Sequence, residues 1–292
     1  MKRLLLPLIL VFGFLFFPLA YADTHFCPMK CEGEKTYSAP GSCPVCGMAL
    51  EKKLEGEGAQ PLNSRDFRVD LVLQPESPKA GEKVKVSLAP RRTLDNSALE
   101  LEVVHEKPLH LITVTQELDW FSHDHPVKGT DGTWQLEMVF PRAGNYIFYA
   151  DFVPKGARNQ VFPLAFQVQG VRPKIKALKA SSAPRKVGSY TFTLIQPKAL
   201  LSNEAMTLTF KIAKGGKPVT DLQPYLGEKG HLVGVSEDTL SYAHSHPMDS
   251  KSGSEVAFMA HFPRPGLYKI WGQFLHQGQI LIADFVLSVK EK

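Results

Sequence analysis

His110-Leu-Ile-Thr-Val-Thr-Gln-Glu-Leu-Asp-Trp-Phe-Ser-His-Asp-His-Pro126 recurs further along the chain as His231-Leu-Val-Gly-Val-Ser-Glu-Asp-Thr-Leu-Ser-Tyr-Ala-His-Ser-His-Pro247. A second match follows each copy. Phe140-Pro-Arg-Ala-Gly-Asn-Tyr146 pairs with Phe262-Pro-Arg-Pro-Gly-Leu-Tyr268, and both run into an aromatic-rich stretch, Ile147-Phe-Tyr149 and Lys269-Ile-Trp271. The chain is internally duplicated. A repeat of about a hundred residues makes two similar domains, since solenoid units are far shorter.

Outward from these stretches the pattern is that of strands. Phe67–Leu73, Lys83–Leu88, Leu99–Val103, Trp134–Phe140 and Tyr146–Phe152 alternate with period two, and no helical stripe occurs beyond the N-terminal run. Roughly seven short strands in about a hundred residues, with turn signals between them, predict an immunoglobulin-like β-sandwich. The fold class expected is therefore mainly β, with two such sandwiches at 65–170 and 187–290 behind a small cysteine-rich module at 23–53. The stretch 54–64 reads as a linker. The stretch 171–186, with only positive charges and two prolines, reads as a hinge between the repeats.

The N-terminus has a basic start (Lys2, Arg3), an apolar run from Leu4 to Leu19 broken by Pro7, Gly13 and Pro18, and the small-x-small site Ala20-Tyr21-Ala22. That is the pattern of a signal peptide over 1–22, with an uncleaved anchor as the alternative. The expected location is periplasmic or secreted, without membrane insertion once the segment is removed. Formal net charge is +5, of which Lys2 and Arg3 supply two, and lysines and acids are interspersed. Nothing there favours nucleic acid as a partner.

The duplicated stretch also carries the histidines. A four-residue loop, Gln116 to Asp119, would pair Thr115 with Trp120, and so His110 with His125 and Ile112 with His123. Opposed residues and residues two apart share a face, which places His110, His123 and His125 together. The second copy places His231, His244 and His246 the same way around the loop Glu237–Leu240. Three imidazoles at that separation suit Cu(II), Zn²⁺ or Ni²⁺, and protonation would release the ion below about pH 6.5. The competing reading is histidines at the rim of a sandwich core, bonded to backbone, because Ile112, Val114 and Phe121 lie on the same face. His25, His105, His261 and His276 stand alone and carry no assigned role.

All four cysteines fall between Cys27 and Cys46, in Cys27-Pro-Met29-Lys-Cys31 and Pro40-Gly-Ser-Cys43-Pro-Val-Cys46-Gly-Met48. Two close pairs at this spacing could close a tetrahedral thiolate shell around Zn²⁺, and the thioethers of Met29 and Met48 add softness that suits Cu(I). A pair of disulfides is the alternative, though a bond across Cys43 and Cys46 would staple almost nothing. The segment resembles the heavy-metal-binding domain found in exported metal-efflux adaptors and at the N-termini of some copper-transporting ATPases. That family reads Cys-Pro-Met-His-Pro in its first half; here Lys30 and Cys31 exchange a nitrogen ligand for sulfur. The paired domains resemble exported bacterial domains with a His-Leu…His-x-His-Pro pattern, from which no activity carries over.

The resulting expectation is an exported heavy-metal-binding protein with a Zn or Cu ion, acting in envelope copper or zinc homeostasis as chaperone, sink or sensor, with a metal-transport or envelope protein as partner. One alternative is a structural or interaction protein with a zinc-stapled head. The other is a copper oxidase or monooxygenase, since peptidylglycine monooxygenases also combine two β-sandwiches with histidine copper sites. No Ser-His-Asp set, phosphate loop or nucleotide fingerprint accompanies that architecture, and no enzyme activity is expected.

Overall fold

The computed structural model describes residues 24–26, 35–41, 43–44, 50–53, 64–174, 176–248 and 253–292. The signal-peptide reading over 1–22 falls outside them, as do Cys27, Met29, Cys31, Cys46 and Met48. The described residues contain strands and one short 3₁₀ turn, Ser64–Asp66, and no helix long and apolar enough to cross a membrane. At the N-terminus β1 (Thr24–Phe26) lies between β2 (Thr36–Tyr37) and β3 (Glu51–Lys53), both antiparallel to it, and Cys43 is buried nearby in sequence.

The first repeat comprises β4 (Phe67–Gln74), β5 (Lys83–Arg92), β6 (His110–Thr115), β7 (Phe121–Asp124), β8 (Val127–Lys128), β9 (Trp134–Val139), β10 (Gly144–Phe152) and β11 (Gln160–Val168). One sheet runs β4-β5-β9-β8 and the other β11-β10-β6-β7. This is the immunoglobulin order, A-B-E-D against G-F-C with one added strand beside C. Alternating residues of the two inner faces, among them Val84, Val86, Leu88, Leu111, Tyr146 and Phe148, form the core.

The second repeat comprises β12 (Arg185–Val187), β13 (Tyr190–Ile195), β14 (Leu200–Leu201), β15 (Ala205–Lys214), β16 (Lys217–Pro218), β17 (His231–Ser236), β18 (Tyr242–Ser245), β19 (Glu255–His261), β20 (Gly266–His276) and β21 (Gln279–Lys290). Its sheets are β12-β13-β15 with β19 beside β15, and β14-β21-β20-β17-β18. It has its own core around Phe192, Phe210, Leu232, Phe258, Ile270 and Phe274. The β20–β21 hairpin turns on Gln277 and Gly278, both at positive φ (52° and 73°), as a two-residue primed turn requires.

The second matched motif has a structural meaning. Tyr146 and Tyr268 each donate a hydroxyl hydrogen bond to the carbonyl four residues upstream, Arg142 at 2.8 Å and Arg264 at 3.0 Å. That is the tyrosine corner of immunoglobulin-like sandwiches. The same arginines reach the histidine hairpins: Arg142 pairs with Asp119, and Arg264 with Asp238 at 3.1 Å. The two motifs recur together because one locks the loop of the other.

The repeats do not stand apart. Ile112, Val114, Ile147 and Tyr149 of the first and Val233, Val235 and Trp271 of the second make a third apolar cluster, to which Leu178 of the intervening segment adds. Phe121 stacks on Trp271 (ring centres 4.7 Å apart), and Tyr149 stacks on Tyr242 at 4.9 Å and donates its hydroxyl to the Thr239 carbonyl. This corrects the expectation that the face of Ile112, Val114 and Phe121 looks into a sandwich core. Leu111 points inward to that core, while its neighbours point at the other repeat, so every residue of β6 and of β17 is buried.

Candidate metal centre

Both histidine hairpins have the predicted register. Ile112 opposes His123 and Val233 opposes His244, and Thr115 N–H bonds the Trp120 carbonyl to close the loop. Leu118 and Thr239 take the equivalent positive-φ position in the two loops (55° and 59°). The consequence is that His110, His123 and His125 converge, as do His231, His244 and His246. Within each trio the available nitrogens all lie within 4.8 Å of one another.

In the first trio, His110 Nε2–H donates to the Val104 carbonyl at 3.0 Å, which leaves Nδ1 as its inward atom. That Nδ1 lies 3.1 Å from His123 Nε2 and 3.2 Å from His125 Nε2. Ligands about 2.0–2.1 Å from a tetrahedral ion sit about 3.3–3.4 Å apart, so these two separations are close to the spacing of a metal shell. In the second trio, His231 Nε2–H donates to the Tyr225 carbonyl at 2.8 Å. Its Nδ1, His244 Nε2 and both nitrogens of His246 are buried without a hydrogen-bond partner. Buried polar atoms are rarely left so, and orphaned imidazole nitrogens grouped in threes are the donor set of a Zn²⁺, Cu(II) or Ni²⁺ site. The residues fit a metal ion on both counts.

Further residues complete the centre, none of them assigned a role from sequence. Val104 to Lys107 and Tyr225 to Glu228 are equivalent tight turns whose first carbonyls anchor His110 and His231. His105, at positive φ in the first turn, stacks on His246 of the other repeat with ring centres 3.5 Å apart. Asp151 of β10 opposes His110, and Gln273 of β20 opposes His231. Each reaches across: His244 Nδ1–H and the Tyr242 hydroxyl donate to Asp151 Oδ2 at 3.1 and 2.9 Å, and Gln273 Nε2 donates to His123 Nδ1 at 3.1 Å. A signal for this pair existed in the repeat, since each lies five residues beyond the corner tyrosine and is polar in an otherwise apolar stretch.

The electrostatics favour neutral ligands. Burial first, and the like charges of neighbouring imidazoles second, push His125 down to about 3 and His231 to about 2 from the usual 6.5. The same causes bring His105 to about 4, place His123 and His246 well below the usual value and lower His110. On these rings a competing proton binds only in acid stronger than the pH of about 6.5 at which an ordinary imidazole titrates. At Asp151 burial pushes the carboxyl up, but the hydrogen bond from His244 leads the effects that outweigh it, and the group is lowered overall. Burial, then Asp151, raises Tyr242 well above 10, which keeps it a donor.

Of the lone histidines, His276 donates Nε2–H to Asp221 Oδ1 (3.0 Å), and its Nδ1 accepts from the Tyr190 hydroxyl (2.7 Å) in the second sandwich. His25 is buried in β1.

The profile described as Domain of unknown function (DUF8832) matches residues 64–170 and again 185–291, and the Heavy metal binding domain profile matches 26–53. No curated protein matches the chain. Among solved structures, an Escherichia coli adhesin is 18% identical, with 83% of this chain and 68% of that one covered and a TM-score of 0.26. A Salmonella alpha-2-macroglobulin reacted with methylamine is 10% identical, covering 81% of this chain but only 16% of that one, at 0.29. A membrane-anchored protein from Corynebacterium diphtheriae, itself described as putative, is also 10% identical, covering 82% and 61%, at 0.23. At these scores the likenesses carry no functional argument.

Proposed function

Because this chain belongs to the DUF8832 family and carries a heavy metal binding domain ahead of both copies, we propose that it is an exported metal-binding protein of the cell envelope. It acts in copper or zinc homeostasis as a chaperone, sink or sensor. The soft site is the cysteine module, with Cys27, Cys31, Cys43 and Cys46 as ligands and Met29 and Met48 beside them. The harder sites are the two histidine trios between the repeats. The observation that carries the reading is the set of buried, unpartnered nitrogens of His231, His244 and His246. An ion there supplies the Lewis acid that these lone pairs otherwise lack, and the protein's part is to hold neutral imidazoles at fixed spacing and exclude water. Export rests on the N-terminal pattern from Lys2 to Ala22.

Metal analysis and titration test this. Protein purified without oxygen should carry about one equivalent of zinc or copper that disappears when Cys43 and Cys46 become Ser, as a single four-coordinate site allows. Cu(II) or Zn²⁺ added afterwards should bind in a manner abolished in the first repeat by His123→Gln with His125→Gln. Two disulfides with no metal, and no histidine-dependent binding, would remove the proposal. The burial of His231 and His246 favours a second reading, in which the ion is a permanent staple between the repeats. A carrier exchanges its ion with a competing chelator, whereas a staple does not.

A further inference from the structure

The two trios are related by the duplication, yet their surroundings differ, most directly at the residue that reaches each from the opposite repeat. Asp151 and Gln273 are equivalent in the fold, and each holds the first histidine of the other repeat's His-x-His pair. A carboxylate only accepts hydrogen bonds, so Asp151 requires the proton of His244 to sit on Nδ1. The lone pair then rests on Nε2, which is buried and without a partner. Gln273 presents its amide N–H to His123 Nδ1, which places the His123 proton on Nε2. That proton is spent on His110 Nδ1, 3.1 Å away, and His125 Nε2 contacts the same atom at 3.2 Å. Without metal, the first trio is closed on itself by hydrogen bonds. The second trio holds nitrogens already aimed at an ion.

We propose that Asp151 is a positioning residue for the trio His231, His244 and His246, and that it makes this trio the tighter and first-filled of two unequal divalent-metal sites, each steadied by a residue of the opposite repeat. The inference rests on the histidine trios being metal sites. To take an ion, the first trio must break its internal hydrogen bonds, turn the Gln273 amide and move a proton from His123 Nε2 to Nδ1. The second trio needs none of these steps. Carboxylates that hydrogen-bond a ligating imidazole fix its tautomer and raise its basicity, and losing one weakens metal binding by about 10–100-fold. The first trio is also the more open of the two, with His123 and His125 only partly buried, which suits a site that exchanges.

The test uses the full-length chain with its four cysteines changed to Ser, titrated with Zn²⁺ against a chelator of known affinity. Two steps are expected. Changing His244 and His246 to Gln removes the tighter step, and changing His123 and His125 to Gln removes the weaker. Asp151→Asn should weaken the tight step by about 10–100-fold and leave the weak step in place, while Gln273→Glu should tighten the weak step. Nitrogen NMR of the metal-free protein supplies a readout that a merely structural role would not move. The His244 proton should sit on Nδ1 and return towards an Nε2–Nδ1 mixture in Asp151→Asn, with Asp151→Glu restoring it. Equal affinities, a tight step assigned to the first trio, or an Asp151→Asn change that weakens both steps alike overturns the inference. Absence of any histidine-dependent step in the parent protein overturns the metal-site reading beneath it.

Discussion

At the scale of residues, burial keeps most histidines of the centre uncharged. His105, His110, His123, His125, His231 and His246 have an ordinary pKa near 6.5 when unfolded and a lowered one when folded, down to about 4 at His105, 3 at His125 and 2 at His231, because burial disfavours the cation. A group whose folded pKa is depressed contributes its full stability above the unfolded value and loses it as pH falls towards the folded one. The metal-free protein should therefore hold its Tm above about pH 6.5 and lose it progressively from there to about pH 4, as several buried imidazoles compete with protonation in the unfolded chain. Bound ion adds stability for the folded state and shifts this decline to lower pH. Thermal melts from pH 7.5 to 4, with and without Zn²⁺, check both statements. A flat Tm across that range would mean that these rings are solvated and ordinary. The identities and spacing of the six trio histidines were legible in the chain. Asp151 and Gln273 stood out only as polar residues in apolar stretches, and such a residue points to a partner only when the facing element is known; nothing marked His105 among its charged neighbours Glu106 and Lys107.

At the scale of elements, β6 and β17 show what period two can and cannot reveal. Alternation sorts His110, Ile112 and Val114 from Leu111 and Thr113. It does not say which set faces the sandwich core, because here both faces are apolar and both are buried. On β20, Gly272 marks the tightest approach of this sheet to its own core. A Cβ there would lie 2.6 Å from Phe210 Cε1 and 2.9 Å from Phe274 Cε2, both buried rings. Gly272→Ala should therefore cost about 1–3 kcal/mol through overpacking, read from denaturant unfolding. Its neighbours Trp271 and Gln273 face the other repeat, so the same substitution should also disturb the weaker metal site. A neutral change would show that the rings have room to move.

At the scale of the whole molecule, the repeats dock through their G-F-C sheets and share one apolar cluster and one histidine centre. Tyr149, Asp151 and Gln273 each make a hydrogen bond to the opposite repeat, so the two sandwiches should melt as one unit. Val235 is fully buried, but against the other repeat and not within its own core. Val235→Asp places a charge in that contact at a cost of a few kcal/mol, about enough to undock the repeats. Calorimetry should then resolve two transitions, with both metal steps weakened because the Asp151 and Gln273 contacts are lost. A single transition at the original temperature would mean that docking contributes little.

The chain by itself determined the duplication, the sandwich class, the hairpin register and the convergence of each trio. All of these follow from local order: period two sets the face of a residue, and a loop of fixed length sets its partner. The heavy metal binding domain over 26–53 was legible from the cysteine spacing and the family motif together. Only the tertiary structure decided that the histidine faces turn away from the sandwich cores and meet each other. It also decided that each trio is steadied from the opposite repeat, and that a carboxylate serves one while an amide serves the other. Strand periodicity carries no information about what lies beyond a sheet's second face. That face is settled by the free energy of burying two apolar surfaces against each other, a term that no stretch of either repeat contains alone.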